Sequence, residues 1–241
     1  MRKRHLSAPV LAVVAAAAAI ALTTGTVPSA ATAPAAAAAS VVPASTPAAA
    51  PQPPIIKDFI PYSAARKRQM AAYSWRHYHQ RTWLMPDPKA IILHYTVSPN
   101  YPSVHNWFSA NSPAPGNAGT RNESPGACVH FVVDKNGKIY QQVPLGLMCR
   151  QVIGINNRSI GIEFVEMSSA ANILNRPRQV QAGLALVRWL QSQFSIATSD
   201  VIGHSMANQS RYFVDYQGWR NDHVDWSKSQ VKMFRARLLL G

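Results

Sequence analysis

Acidic side chains are few. Ten Asp and Glu stand against 24 Lys and Arg in 241 residues, for a formal net charge of +14. Each carboxylate is therefore informative, and three of the ten fall in one stretch, Val201 to Trp226, together with two of the eight histidines. Cysteine is nearly absent, so Cys128 and Cys149 allow one disulfide at most. A Gly-x-Ser-x-Gly elbow is not supplied by Gly203-His204-Ser205, which argues against a serine hydrolase. No internal repeat is present. The apolar run Ala8 to Leu22 falls short of the roughly twenty residues that a membrane span needs.

That run follows the basic residues Met1 to His5 and precedes small residues at Ser29 to Ala33, the pattern of a cleaved secretory signal over residues 1–33. Residues 34–54 are almost entirely Ala, Pro, Ser, Thr and Val, without aromatics or charge, and read as a disordered linker. A folded domain is expected over 55–241. Its basic balance suits a polyanion. An exported protein rarely meets nucleic acid, so anionic cell-wall polymers are the expected partner, with no stable membrane insertion after signal cleavage.

Tyr62 to Tyr78 has good helix formers and no Pro or Gly, and predicts a helical extension over about 60–80 with an exposed basic face. His77 and His79, two apart, do not share a helix face and are not expected to act together. Lys89 to Tyr95 is a short apolar run bounded by turn residues, a buried strand that carries His94 near its end. A short helix follows, with Val104, Trp107 and Phe108 as packing residues, then a long polar loop from Asn111 to Gly126. Val129 to Val143 reads as a hairpin turning at Asn136-Gly137. That register sets Cys128 opposite a residue near Val143, which argues against a Cys128–Cys149 bridge.

In the next strand, Asn157 to Val165, period two puts Glu163 on the face opposite Ile160 and Ile162. Asn175 as N-cap and Pro177 open a helix to about Phe194. Asp200 to Gly203 leads back to the sheet and delivers His204. Ser227 caps a last helix with Val231, Phe234 and Leu238 as its buried stripe. Alternating strands and helices predict one α/β domain with a mixed central sheet flanked by helices.

His94 stands at the end of one strand and His204 follows another, and the polar stretch downstream offers a carboxylate. Two imidazoles and a third ligand are the donor set of a catalytic zinc site, and Glu163 can move the proton for metal-assisted hydrolysis. A polar loop folded on itself is the other reading of Val201 to Trp226.

Four segments in order, LHYTVS around His94, VHFVVDKNGKIYQQVP, NNRSIGIEFVE and IGHSMANQS, resemble the motifs of the zinc-dependent N-acetylmuramoyl-L-alanine amidase family, which also contains the peptidoglycan recognition proteins. YSAARKRQM, YSWRHY, RTW and MCR further resemble an exported actinobacterial branch of it. The resemblance implies a secreted, zinc-dependent hydrolase of peptidoglycan, with His94, His204 and Asp222 as metal ligands and Glu163 as the catalytic carboxylate. Asp222 is chosen because Arg220-Asn221-Asp222 repeats a basic-x-Asp form. Arg220 then replaces a lysine that stabilises the oxyanion. Asp215, His223 and Asp225 remain rivals for the third ligand. Gln151 stands where many relatives have a His. A non-catalytic wall-binding module and a zinc peptidase for another wall bond are the alternative functions.

Overall fold

The computed structural model describes residues 49–113 and 122–240, so the expected signal segment, the first part of the linker and the middle of the 111–126 loop lie outside the described residues. Six strands form one mixed sheet: β1 (Ile55–Lys57), β2 (Ala90–Tyr95), β3 (Phe131–Val133), β4 (Ile139–Gln141), β5 (Ser159–Phe164) and β6 (Val201–Gly203), in the order β1-β4-β3-β5-β2-β6. Only β3 and β4, joined by the Asn136-Gly137 turn, run antiparallel; the other neighbours are parallel. The helices are α1 (Ala64–Tyr78), α2 (Tyr101–Ser109), α3 (Ala170–Leu174), α4 (Pro177–Phe194) and α5 (Lys228–Leu239). None among the described residues is long and apolar enough to cross a membrane.

Alternation along β2 and β5 divides the sheet into two faces. Ile91, Leu93, Ile160, Ile162 and Phe164 enter the main core with Val180, Leu184, Val187 and Leu190 of α4 and Val231, Phe234 and Leu238 of α5. Ser227 caps α5 through a reciprocal box with Gln230. On the opposite face, Val132 packs with Val104 and Phe108 of α2, and Ile92 packs with Ile202 and Ala207. The space between those two clusters holds the polar ends of β5 and β2.

Several expectations are corrected. Cys128 and Cys149 are joined in a disulfide. After β4 the chain folds back through a turn in which Leu147 N donates to Pro144 O, and Cys128 N then donates to Arg150 O. α1 is not a solvated basic helix: Arg66, Met70, Tyr73, Ser74, His77 and Tyr78 form a buried stripe. Half of that stripe is polar, so it leaves no apolar pattern in the sequence. Arg66 is satisfied by Asn111 Oδ1 and by the carbonyls of Pro61 and Phe108. Trp107 is 54% exposed, whereas Val104 and Phe108 are buried. Asn175 ends α3 instead of opening α4, whose N-cap is Arg176.

Candidate active site

Parallel register sets the site. His94 of β2 pairs with Glu163 of β5, and Leu93 pairs with Gly203 of β6, so His204 follows one step beyond at the level of His94. Three adjacent strands thus deliver Glu163, His94 and His204 side by side near their carboxyl ends. The two imidazole rings meet edge to face with centroids 4.9 Å apart.

Asp225 completes the group. Its Oδ2 lies 2.7 Å from His94 Nδ1 and 3.4 Å from His204 Nδ1. Among the described residues, His94, His204 and Asp225 are the three whose ligand atoms lie within 4.8 Å of one another. Asp222, the third ligand expected from the sequence, is exposed and outside this group. The reason lies in its neighbours. Trp226 is fully buried, its backbone oxygen and Cβ so close to residue 203 that only a glycine fits there. Asn221 is buried at the other end of the segment. Between these anchors, the residue beside Trp226 turns inward and Asp222 points out.

Arg220 is exposed, stacks 4.5 Å over the Phe213 ring and donates to Asn208 O at 3.4 Å. His223 takes the position beside the carboxylate instead, with Nε2 2.7 Å from Asp225 Oδ1. His223-Val224-Asp225 has the same basic-x-Asp form as Arg220-Asn221-Asp222. That signal was present in the sequence and pointed to two positions. Asp215 pairs with His77.

Each imidazole is oriented from behind by an amide. Gln151 Oε1 faces His94 Nε2 at 3.2 Å, and its Nε2 donates to Ser159 O. Asn221 Oδ1 faces His204 Nε2 at 3.1 Å, and its Nδ2 donates to Ile153 O. An amide oxygen and an ionised carboxylate both only accept, so each ring presents Nε2 to an amide and Nδ1 to Asp225, the side from which a metal would take the place of a proton. Gln151 was singled out in the sequence only as a replacement for a His, and the orienting roles of Gln151 and Asn221 were not legible because their contacts come from chain distant in sequence.

Electrostatics match this arrangement. Burial lowers the His94 pKa and outweighs the pull of Asp225. For Asp225, burial acts upward, but His204, His223 and His94 outweigh it and hold the carboxyl far below its usual range. A neutral imidazole and an ionised carboxylate are the protonation states that metal binding demands. Glu163 behaves differently: burial, then the charge of Asp225, pushes its pKa well above the usual value. Its Oε2 is shut off from solvent and has no hydrogen-bond partner among the described residues. Glu163 borders a cleft of about 420 Å³ walled by Thr96, Ser98, Ser103 and Trp107.

The sequence matches the family model for N-acetylmuramoyl-L-alanine amidase over residues 84–223, more than half of the chain. Among curated proteins none matches. Similar solved structures include an endolysin N-acetylmuramoyl-L-alanine amidase from Clostridium intestinale URNW, at 19% identity and TM-score 0.47, covering 76% of this chain and 96% of that one. A mutant endolysin from Bacillus subtilis has 19% identity and TM-score 0.47, with 77% and 98% covered. The Staphylococcus aureus hydrolase AmiA, in complex with its ligand, has 17% identity and TM-score 0.48, with 79% and 85% covered. On the span matched by the family model, the chain belongs to the N-acetylmuramoyl-L-alanine amidases, hydrolases of the amide between N-acetylmuramic acid and L-alanine in peptidoglycan.

Proposed function

We propose that the protein is an exported amidase that holds a zinc ion with His94, His204 and Asp225 and uses Glu163 for proton transfer. The observation that carries this reading is the convergence of two imidazole Nδ1 atoms on one buried carboxylate, with a partnerless glutamate oxygen on the neighbouring strand. Two imidazoles and a carboxylate suit zinc and leave a fourth position for water or substrate. Zinc in this site supplies a Lewis acid toward the scissile carbonyl and toward water.

The chain's own residues do the rest. Gln151 and Asn221 fix the imidazole rings, so the donor set needs little reorganisation. Glu163 takes a proton from the attacking water and returns it to the departing L-alanine nitrogen as the C–N bond breaks. Its elevated pKa suits a group that must both accept and give a proton. His223, not Arg220, is the basic group beside the ligand carboxylate.

Export is supported by the N-terminal sequence pattern and by the Cys128–Cys149 disulfide, which persists in an oxidising compartment. The excess of Lys and Arg favours approach to an anionic wall. The test is mass spectrometry of material released from purified peptidoglycan, with and without a chelator. The expected products are stem peptides with a new L-alanine amino terminus, lost on chelation and restored by zinc. New termini elsewhere in the stem, or binding without products, would refute the reading.

A further inference from the structure

α1 ends before the stretch matched by the family model, and residues 210–219 form a loop between His204 and Asp225. A buried joint ties the two together. His77 has Nδ1 2.8 Å from Asp215 and Nε2 2.9 Å from Glu123, while Arg76 pairs with Glu123. Tyr73 stacks on the imidazole at 4.2 Å and Trp219 meets it edge-on at 4.8 Å. The backbone joins in, since Tyr216 N donates to His77 O. A joint satisfied from this many sides holds whatever lies outside it in one arrangement.

Outside it lies an aromatic row. Tyr216 stacks on His79 at 3.8 Å with planes 4° apart, and Trp75 lies 5.5 Å from His79. Even so, 58% of Tyr216 and 44% of Trp75 stay exposed. Tyr216 also borders a hollow of about 390 Å³ with Tyr212, Val214, Gln80, Asn157 and Arg158. The cations at its rim already have a partner: Lys89 Nζ and Arg158 Nη1 lie 2.6 Å and 2.9 Å from Asp87. Arg81 lies 4.3 Å over the Trp75 ring, so the surface offers aromatic rings, amides and a stacked guanidinium.

This hollow is separate from the catalytic site. Lys89 and Arg158 immediately precede β2 and β5, whereas His94 and Glu163 lie five residues further along those strands. At about 3.3 Å per strand residue the two sites are on the order of 15 Å apart along the sheet.

We propose that the row Trp75, His79 and Tyr216 and the adjoining hollow form a second, non-catalytic site for the uncharged glycan strand of peptidoglycan. A pyranose ring has an apolar face of C–H groups that suits an exposed aromatic ring, and its hydroxyl and acetamido groups suit the amides of Gln80 and Asn157. The identity of the polymer rests on the amidase reading. A glycan held here raises the effective concentration of its own stem peptides at Glu163.

The test uses the full chain and its Trp75→Ala, Tyr216→Ala and Tyr216→Phe variants, with folding checked by circular dichroism. Binding of a β-1,4-linked N-acetylglucosamine oligomer is measured by calorimetry. Turnover is measured on insoluble peptidoglycan and on a soluble muramyl peptide. The expected result is a roughly tenfold loss of oligomer affinity in both alanine variants. A parallel loss on insoluble wall is expected, with turnover of the soluble peptide unchanged and Tyr216→Phe close to wild type. No oligomer binding by the wild type, binding that both alanine variants retain, or a dimer that Tyr216→Ala dissolves would each overturn the inference. Failure of the wild type to cleave the soluble peptide would instead strike the proposed function, because oligomer binding is read independently.

Discussion

Gln151 reaches His94 by lying across Gly161. The glutamine Oε1 is 3.2 Å from His94 Nε2, and a Cβ on residue 161 would come within 1.6 Å of that oxygen. The glycine of the NRSIGIE run thus leaves room for the group that faces His94, a proposed metal ligand. Residues from two adjacent strands and a loop thus act as one unit.

Two substitutions should therefore give one phenotype. Gln151→Ala removes the orienting group, and Gly161→Ala displaces it. Loss of such a partner costs about 10–100-fold in metal affinity. Chelator competition on both variants checks this, and wild-type affinity in Gly161→Ala would refute the link.

Glu163→Gln keeps the shape of the side chain and removes its ability to carry a proton. The expected fall in kcat is about 10²–10⁴-fold. Metal content should stay near that of the wild type, since Glu163 is not among the clustered ligand atoms. Full activity in this variant would contradict the assigned role.

Acid stability should depend on Glu166, which is buried and accepts from Ser168 N, Ser168 Oγ and Asn172 Nδ2 and pairs with Arg176. Burial acts to raise its pKa, but these partners outweigh it and bring the value down to about 2 from 4.5. A lowered folded-state pKa means that the stabilisation is complete above the unfolded value and fades as pH falls from about 4.5 to about 2. Glu166→Gln should lower the denaturation midpoint at pH 7 and narrow that gap toward pH 2. A gap independent of pH would count against the assignment.

The Cys128–Cys149 bridge closes a loop with a sequence separation of 21. A bridge of that span contributes about 2–4 kcal/mol. Cys128→Ser should lower stability by that order in denaturant titrations, and an unchanged midpoint would show that the bridge does not constrain the unfolded chain.

What could be read from the sequence was what depends on local pattern. The β5 alternation placed Glu163 opposite Ile160 and Ile162, and Ser227 marked the start of α5. His94 and His204 stood out because each ends an apolar strand. Asp225 did not, because its inward turn is set by the burial of Trp226 under β6 and of Asn221 against Ile153, both long-range events. β1 was missed for a related reason: three residues carry too little pattern, and their partner β4 lies more than eighty residues away. In α1, buried Arg66 and His77 looked like surface until their partners Asn111, Asp215 and Glu123 were in place.

In the proposed metal centre, Asp225 acts with His94 and His204. Zinc content per chain distinguishes purified Asp225→Ala from Asp222→Ala. Asp225→Ala should lose bound zinc, and Asp222→Ala should keep one ion per chain. Retention by Asp225→Ala with loss in Asp222→Ala would contradict that assignment.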